Sequence, residues 1–243
     1  MNPPSQTTVD SRHNHLLFAL PDAEWARWAP QLELVDLPLG RVLCESGSTP
    51  AFVHFPITAV VSLVYMTREG GSAEIAVVGN DGVVGFSLFM GGNATPSQAV
   101  VQIAGQAYRL RAHVVMSEVN RGGPVLGVLL RYTQSLIAQV SQTAVCNRYH
   151  SIDQQLARRL LLGLDRSASG ELMMTQELAA NLLGVRREGI TAAAHKLQQA
   201  GVIRYSRGHI AVLDRSRLES RTCECYAVNK REYDRLLPMP AAA

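Results

Sequence analysis

Gly184 and Gly201 divide the stretch TQELAANLLGVRREGITAAAHKLQQAGVIRYSRGHIAVLD, residues 175–214, into parts that can pack together in few ways. Thr175 is placed to cap a helix running to Leu183, and Glu177 lies near that helix's positive end. Gly184 supplies a tight turn. The spacing predicts a second helix from about 186 to 200, stopped by Gly201. In it Ile190, Ala194 and Leu197 fall at i, i+4 and i+7 and make a single inward stripe. Two alternating strands come next, VIRYS and HIAVLD, joined by Ser206, Arg207 and Gly208. The pattern is a helix-turn-helix with a wing after it, and the wing has a basic tip.

The second helix carries its charges at its front end. Arg186, Arg187 and Glu188 come first, and most of the remaining helix is small and apolar. A solvated face spreads its charges along its length, so this distribution points to a partner that approaches end-on. A recognition helix enters the major groove by its N-terminal turns. There Arg187 can donate two bonds to guanine O6 and N7, and Glu188 can accept from cytosine N4. Thr191 can reach a base edge or a thymine methyl. Arg186 and the wing's Arg207 suit phosphate, a contact that positions the protein without reading sequence. The charge balance agrees. Residues 173–217 hold 7 Lys+Arg against 3 Asp+Glu, whereas residues 1–117 hold 6 against 9, so an anionic partner is expected for the later segment only. The competing reading is a ligand-binding or scaffold protein whose winged helix grips another protein, with Arg186 and Arg187 merely solvated.

The rest of the chain sorts by texture. Residues 1–14 are polar with two prolines and are expected to be disordered. Residues 15–30 read as short helical pieces with Leu16, Leu17, Leu20, Trp25 and Trp28 facing inward. From about 32 to 115, short β-rich runs alternate with turn signals at Glu69-Gly70-Gly71, Asn80-Asp81-Gly82 and Gly91-Gly92-Asn93, the mark of an antiparallel sandwich or barrel. A helix is expected over 118–147, with Pro124 suited to a helix start. It carries one stripe of Leu129, Tyr132, Leu136, Gln139 and Thr143, and another of Leu126, Leu130, Thr133, Ile137, Val140 and Ala144. Two adjacent stripes allow one side to pack on the β domain and the other on a second copy of the chain; a core helix of a monomer is the alternative. The segment 147–151 breaks the pattern, and a further helix is expected over about 152–166.

The expected fold class is therefore α+β: an N-terminal antiparallel β-roll of jelly-roll type, a long dimerisation helix and a C-terminal winged helix-turn-helix. The expected divisions are 1–30 (leader and short helices), 31–117 (β-roll sensor), 118–148 (dimerisation helix), 149–217 (winged helix) and 218–243 (tail, CECYAVNKREYDRLL being amphipathic and able to pack on the winged helix).

Other chemistries find little support. Cys44 and Cys146 stand alone in apolar surroundings, and Cys223-x-Cys225 has no second Cys or His pair nearby at zinc-finger spacing; all four are read as structural thiols, with no metal and no cofactor. No phosphate-binding lysine motif comes after the glycine-rich turns, and no Ser-His-Asp or paired-carboxylate grouping stands out, so an enzyme is not expected. No apolar run reaches transmembrane length and no secretion signal is visible, which suggests a cytoplasmic protein with no membrane partner.

A β-roll, a long helix and a winged helix in this order resemble the CRP/FNR family of bacterial transcription regulators, most clearly at TQELAANLLGVRREGITAAAHKLQQAGVI. The family's Arg-Glu reading pair falls on Arg187 and Glu188, and Thr191 falls where some members read with serine. A further arginine that some members use would fall on Ala192. The resemblance implies a homodimer joined through the 124–146 helix on a pseudo-palindromic operator in double-stranded DNA, acting on RNA polymerase and open to an unidentified small-molecule effector. The family's phosphate cassette for cyclic nucleotide maps to GVVGFSLFMGGNATPSQAVVQ. Gly85 and one serine, Ser97, match; Phe86 replaces the acid and Pro96 the arginine. Proline offers a phosphate neither charge nor N–H, and the lost charge-assisted pair is a strong orienting contact. Cyclic AMP is therefore not expected to bind in the usual way, though Gly85, Gly91, Gly92 and Ser97 could line a small altered pocket. The N-terminal cysteine cluster of the family's iron–sulfur sensors has no counterpart, since the first cysteine is Cys44; His13 and His15, in the leader, could in principle ligate haem.

Overall fold

The structure is a computed structural model that describes residues 10–167, 171–206 and 209–238. Two short helices, α1 (His15–Phe18) and α2 (Asp22–Trp28), precede seven strands: β1 (Glu33–Leu37), β2 (Val42–Cys44), β3 (Phe52–Pro56), β4 (Val60–Met66), β5 (Ser72–Val78), β6 (Gln98–Ile103) and β7 (Gly105–Arg111). They form two antiparallel sheets, ordered β1-β7-β3 and β2-β6-β4-β5. The inward residues are apolar: Val53, Phe55, Val61, Leu63, Val101 and Leu110 are buried between the sheets, and Leu16, Leu17 and Trp28 close one side.

The next helices are α3 (Ala112–Arg121), α4 (Pro124–Tyr149) and α5 (Ile152–Leu164). Helix begins at Ala112, within the span expected to be β-roll, and is interrupted at Gly122 and Gly123, whose φ values of 73° and 90° leave the right-handed helical region. Pro124 then starts the long helix. One face of α4 buries Val125, Val128, Leu129, Tyr132 and Leu136 against the β-roll. Gln139 on the same helix acts as a strand in miniature: its Oε1 accepts from Val77 N at 2.6 Å and its Nε2 donates to Val77 O at 3.3 Å, satisfying the free edge of β5.

Strand β8 (Glu171–Met173), helices α6 (Gln176–Leu183) and α7 (Arg187–Gln199), and strands β9 (Ile203–Ser206) and β10 (His209–Val212) build the second body, its sheet ordered β8-β10-β9. Its core of Leu156, Leu160, Leu172, Ile190, Leu197 and Val202 is separate from the β-roll core. Two further helices close the chain, α8 (Arg215–Glu219) and α9 (Glu224–Leu236).

Three expectations are corrected. The leader is ordered from residue 10: Asn14 is fully buried, and its Nδ2 donates to Pro56 O and Gly82 O, each at 2.9 Å. A short polar side chain that satisfies two backbone carbonyls pins the segment where composition suggested disorder. The tail packs chiefly along α4, beyond the winged helix where it was expected; Leu236 and Leu237 enter the β-roll core, while Tyr226 joins the other. Cys146 is not solitary, for its Sγ lies 3.6 Å from that of Cys223.

Candidate nucleic-acid interface

Helix α6 is capped as its sequence requires: Thr175 Oγ1 accepts from Leu178 N at 3.0 Å, and Glu177 sits in the first turn. Gly184 ends it in the left-handed region, φ 65° and ψ 33°, which a β-carbon would disfavour. Helix α7 then buries Ile190, Ala193, Ala194 and Leu197 and turns Arg187, Glu188, Thr191, Ala192 and His195 outward. Its front end is held close to α5, because a β-carbon on Gly189 would come within 2.7 Å of Ile152 Cδ1.

Arg186, Arg187 and Glu188 are therefore brought together at one exposed helix end, and their side chains form no hydrogen bond or ion pair among the described residues. Arg186 occupies the N-cap position without a side-chain cap; Gly189 N donates to Arg186 O at 3.0 Å, and the N–H groups of Arg187 and Glu188 have no capping side chain. Thr191 is exposed but engaged: Oγ1 lies 2.7 Å from Gln176 Oε1 and 3.0 Å from Arg187 O. Its single proton serves one acceptor at a time. Arg207 lies outside the described residues. Beside α7 runs an open groove of about 560 Å³ that includes Gln176, Glu188, Thr191, His195, Gln198 and Tyr205. Gln176, Gln198 and Tyr205 were not singled out in the sequence. Tyr205 OH accepts from Gln176 N at 3.2 Å, and Gln198 Oε1 accepts from Tyr205 N at 3.1 Å, so the wing is tied to both helices. Outward polar positions on α6 and β9 were the available signal, but which of them share a surface depends on the packing angle.

The four candidate effector-pocket residues do not converge. Gly85 and Ser97 are buried and line a space of about 10 Å³ with Cys44, Leu63, Val84 and Phe86. That is room for about one water molecule. Gly91 and Gly92 are exposed and outside it. Ser97 Oγ is satisfied by Thr95 Oγ1 at 2.9 Å. A larger cavity, about 210 Å³, lies where the β-roll, α5 and α9 meet, lined by His15, Asp81, Arg166, Tyr226 and Tyr233 among others. Tyr233 OH sits 3.1 Å from His15 Nδ1, and burial pushes the tyrosine well above its usual range while lowering that of His15.

The two bodies are joined by buried charge. Arg159 Nε lies 2.6 Å from Glu74 Oε1, and both side chains are buried; Ser62 Oγ donates to the same carboxylate. Arg166 Nε donates to Asp81 at 3.0 Å. Helix α6 also packs on β5, where Ser72 Oγ donates to Asn181 O at 3.4 Å. Along α4, Leu130 and Ile137 are 51% and 57% exposed and Ala144 is exposed in line with them, whereas Thr133 of the same stripe is buried and Val140 packs against the β-roll core, so only the outer part of the second stripe is an uncovered apolar seam. No described helix is long and apolar enough to cross a membrane.

Residues 154–221 match the family model of the Crp-like helix-turn-helix domain. Among solved structures, a Crp/Fnr-family transcriptional regulator from Eubacterium rectale is similar at TM-score 0.67 and 19% identity, over 86% of this chain and 98% of that one. FixK2 from Bradyrhizobium japonicum is similar at 0.65 and 15%, over 79% and 98%. A CRP/FNR-family regulator from Thermus thermophilus is similar at 0.63 and 20%, over 80% and 98%. No curated protein matches the sequence.

Proposed function

We propose, for a chain that carries a Crp-like helix-turn-helix domain on the fold of CRP/FNR transcription regulators, that it is a sequence-specific DNA-binding regulator acting as a homodimer on a pseudo-palindromic operator. The observation that carries this reading is the outward, unpaired cluster of Arg186, Arg187 and Glu188 at the front of α7. Charges left without internal partners at the front end of a helix whose other face is packed into a core are ready for an external one. Arg187 reads guanine, Glu188 accepts from cytosine, and Thr191 reaches a neighbouring base by releasing Gln176. Arg186, the free N–H groups of α7 and Arg207 hold phosphate. The seam of Leu130, Ile137 and Ala144 pairs two copies, giving one recognition helix per half-site.

The small space beside Gly85 and Ser97 supports regulation by something other than cyclic AMP bound in the usual way. The switch works through the 147–151 segment, with Glu74–Arg159 and Asp81–Arg166 as the contacts by which a shift of the β-roll moves α5.

The test is binding of the purified protein to genomic DNA fragments across a salt series. The expected result is specific, salt-sensitive binding. Arg187→Ala should lose about 10- to 100-fold of it, the worth of one bidentate base contact. Arg186→Ala should weaken all sequences alike and lower the salt slope by about one. Specific binding retained after Arg187→Ala would refute the base-contact assignment.

A further inference from the structure

Four ligand-type side chains from distant parts of the chain meet at the end of the long helix. Cys146 lies in the last turn of α4, and His150, four residues on, is the extended residue that caps its C-terminal end. Cys223 and Cys225 flank the first residue of α9. Their ligand atoms all lie within 4.8 Å of one another. All three cysteines are buried and none forms a disulfide. We propose that Cys146, His150, Cys223 and Cys225 form a structural zinc site that clasps the C-terminal end of α4 to the start of α9.

The geometry fits a single tetrahedral ion. With Zn–S near 2.3 Å and Zn–N near 2.0–2.1 Å, the edges of the tetrahedron are about 3.8 Å between sulfurs and about 3.6 Å between sulfur and nitrogen. Cys146 Sγ and Cys223 Sγ stand 3.6 Å apart, and so do Cys225 Sγ and His150 Nδ1. The other edges, none above 4.8 Å, need to close by about 1 Å or less. Sulfurs at 3.6 Å are far outside disulfide bonding length. Three soft thiolates and one imidazole select zinc over the hard oxygen-seeking cations. Four protein ligands in a buried place leave no open position for substrate, which makes the site structural.

The surroundings supply what such a site needs. With Nδ1 turned to the sulfurs, His150 has Nε2 3.4 Å from Glu224 Oε1, so a carboxylate can orient the ring from behind. Arg158, on α5, is buried within Coulombic reach of all three sulfurs. It donates through Nη2 to Thr143 Oγ1 at 3.2 Å, but its Nε has no hydrogen-bond partner. A buried guanidinium is costly without negative charge nearby; Glu74 lies within Coulombic reach of Arg158 but is already paired with Arg159, and three neutral thiols add no charge of their own. On binding, Zn²⁺ displaces three thiol protons to water, and the three thiolates leave the centre with one net negative charge, which Arg158 balances.

The experiment uses full-length protein purified under reducing conditions without chelator. Elemental analysis should find about one zinc per chain, and exchange for Co²⁺ should give the intense ligand-field bands of a tetrahedral ion together with thiolate-to-cobalt charge transfer. Cys223→Ser and Cys225→Ser should each weaken zinc binding by more than about 100-fold, and His150→Cys should retain it. Wild-type protein that is fully reduced, lacks zinc and gives no tetrahedral cobalt spectrum would overturn the proposal, whatever the variants do. So would iron as the bound metal, or full zinc content in the Cys223→Ser/Cys225→Ser double variant. The site stands or falls independently of DNA binding.

Discussion

Glu74 and Arg159 form a charged pair that neither core could tolerate half-finished. Both side chains are buried, so removing one leaves the other as a buried charge that has lost its ion-pair partner. Glu74→Gln should lower stability by about 3–5 kcal/mol, seen as a drop in the urea midpoint, whereas a double replacement of Glu74 and Arg159 by apolar residues of similar volume should cost far less. His54 gives a second, pH-dependent prediction. Burial first, then the positive charges of Arg109 and Arg41, lower its pKa from 6.5 to about 4. Between those values the unfolded chain binds a proton that the native one refuses, so stability is full above about pH 7 and falls as the pH drops through the window. The loss between pH 7.5 and pH 5 should be about 2 kcal/mol, and His54→Gln should remove most of that dependence in urea titrations at the two pH values. None of these partnerships is readable from the sequence. Glu74 and Arg159 are 85 positions apart in the chain, and charge type alone does not say which carboxylate a buried arginine will meet. Arg187 and Glu188 are legible because they are adjacent and their exposure follows from the apolar stripe of their own helix.

At the scale of single elements, legibility rested on local chemistry. Thr175, Gly184 and Gly201 fixed the limits of α6 and α7, because caps and left-handed turns act within a few residues. Pro124 fixed the start of α4 in the same way. Features set by distant partners escaped: β8 is a strand only because β10 pairs with it, and residue 112 begins a helix although the run before it reads as strand. The two stripes of α4 were legible from their periodicity, and the structure leaves Leu130 and Ile137 uncovered. If that seam joins two copies, Leu130→Glu with Ile137→Glu should reduce the molar mass in light scattering from that of two chains to that of one, with helical content unchanged by circular dichroism. Operator affinity should fall with it, because each half-site would then be bound alone. A double variant that remained dimeric would place the interface elsewhere.

At the scale of the molecule, the order of β-roll, long helix and winged helix could be read from texture alone, and the fold agrees with it. The role of the tail could not, because an amphipathic helix does not disclose which surface receives it. Residues 223–237 give Tyr226 to the core around α7 and Leu236 and Leu237 to the β-roll core. That arrangement has a consequence for biogenesis. Until residues 223–237 have been synthesised, each core lacks side chains that it holds in the finished fold, so neither reaches its final packing before that segment emerges. A truncated product ending shortly before residue 223 would therefore be a poor source of isolated sensor or isolated DNA-reading module, and proteolytic surveillance should clear it faster than the full chain.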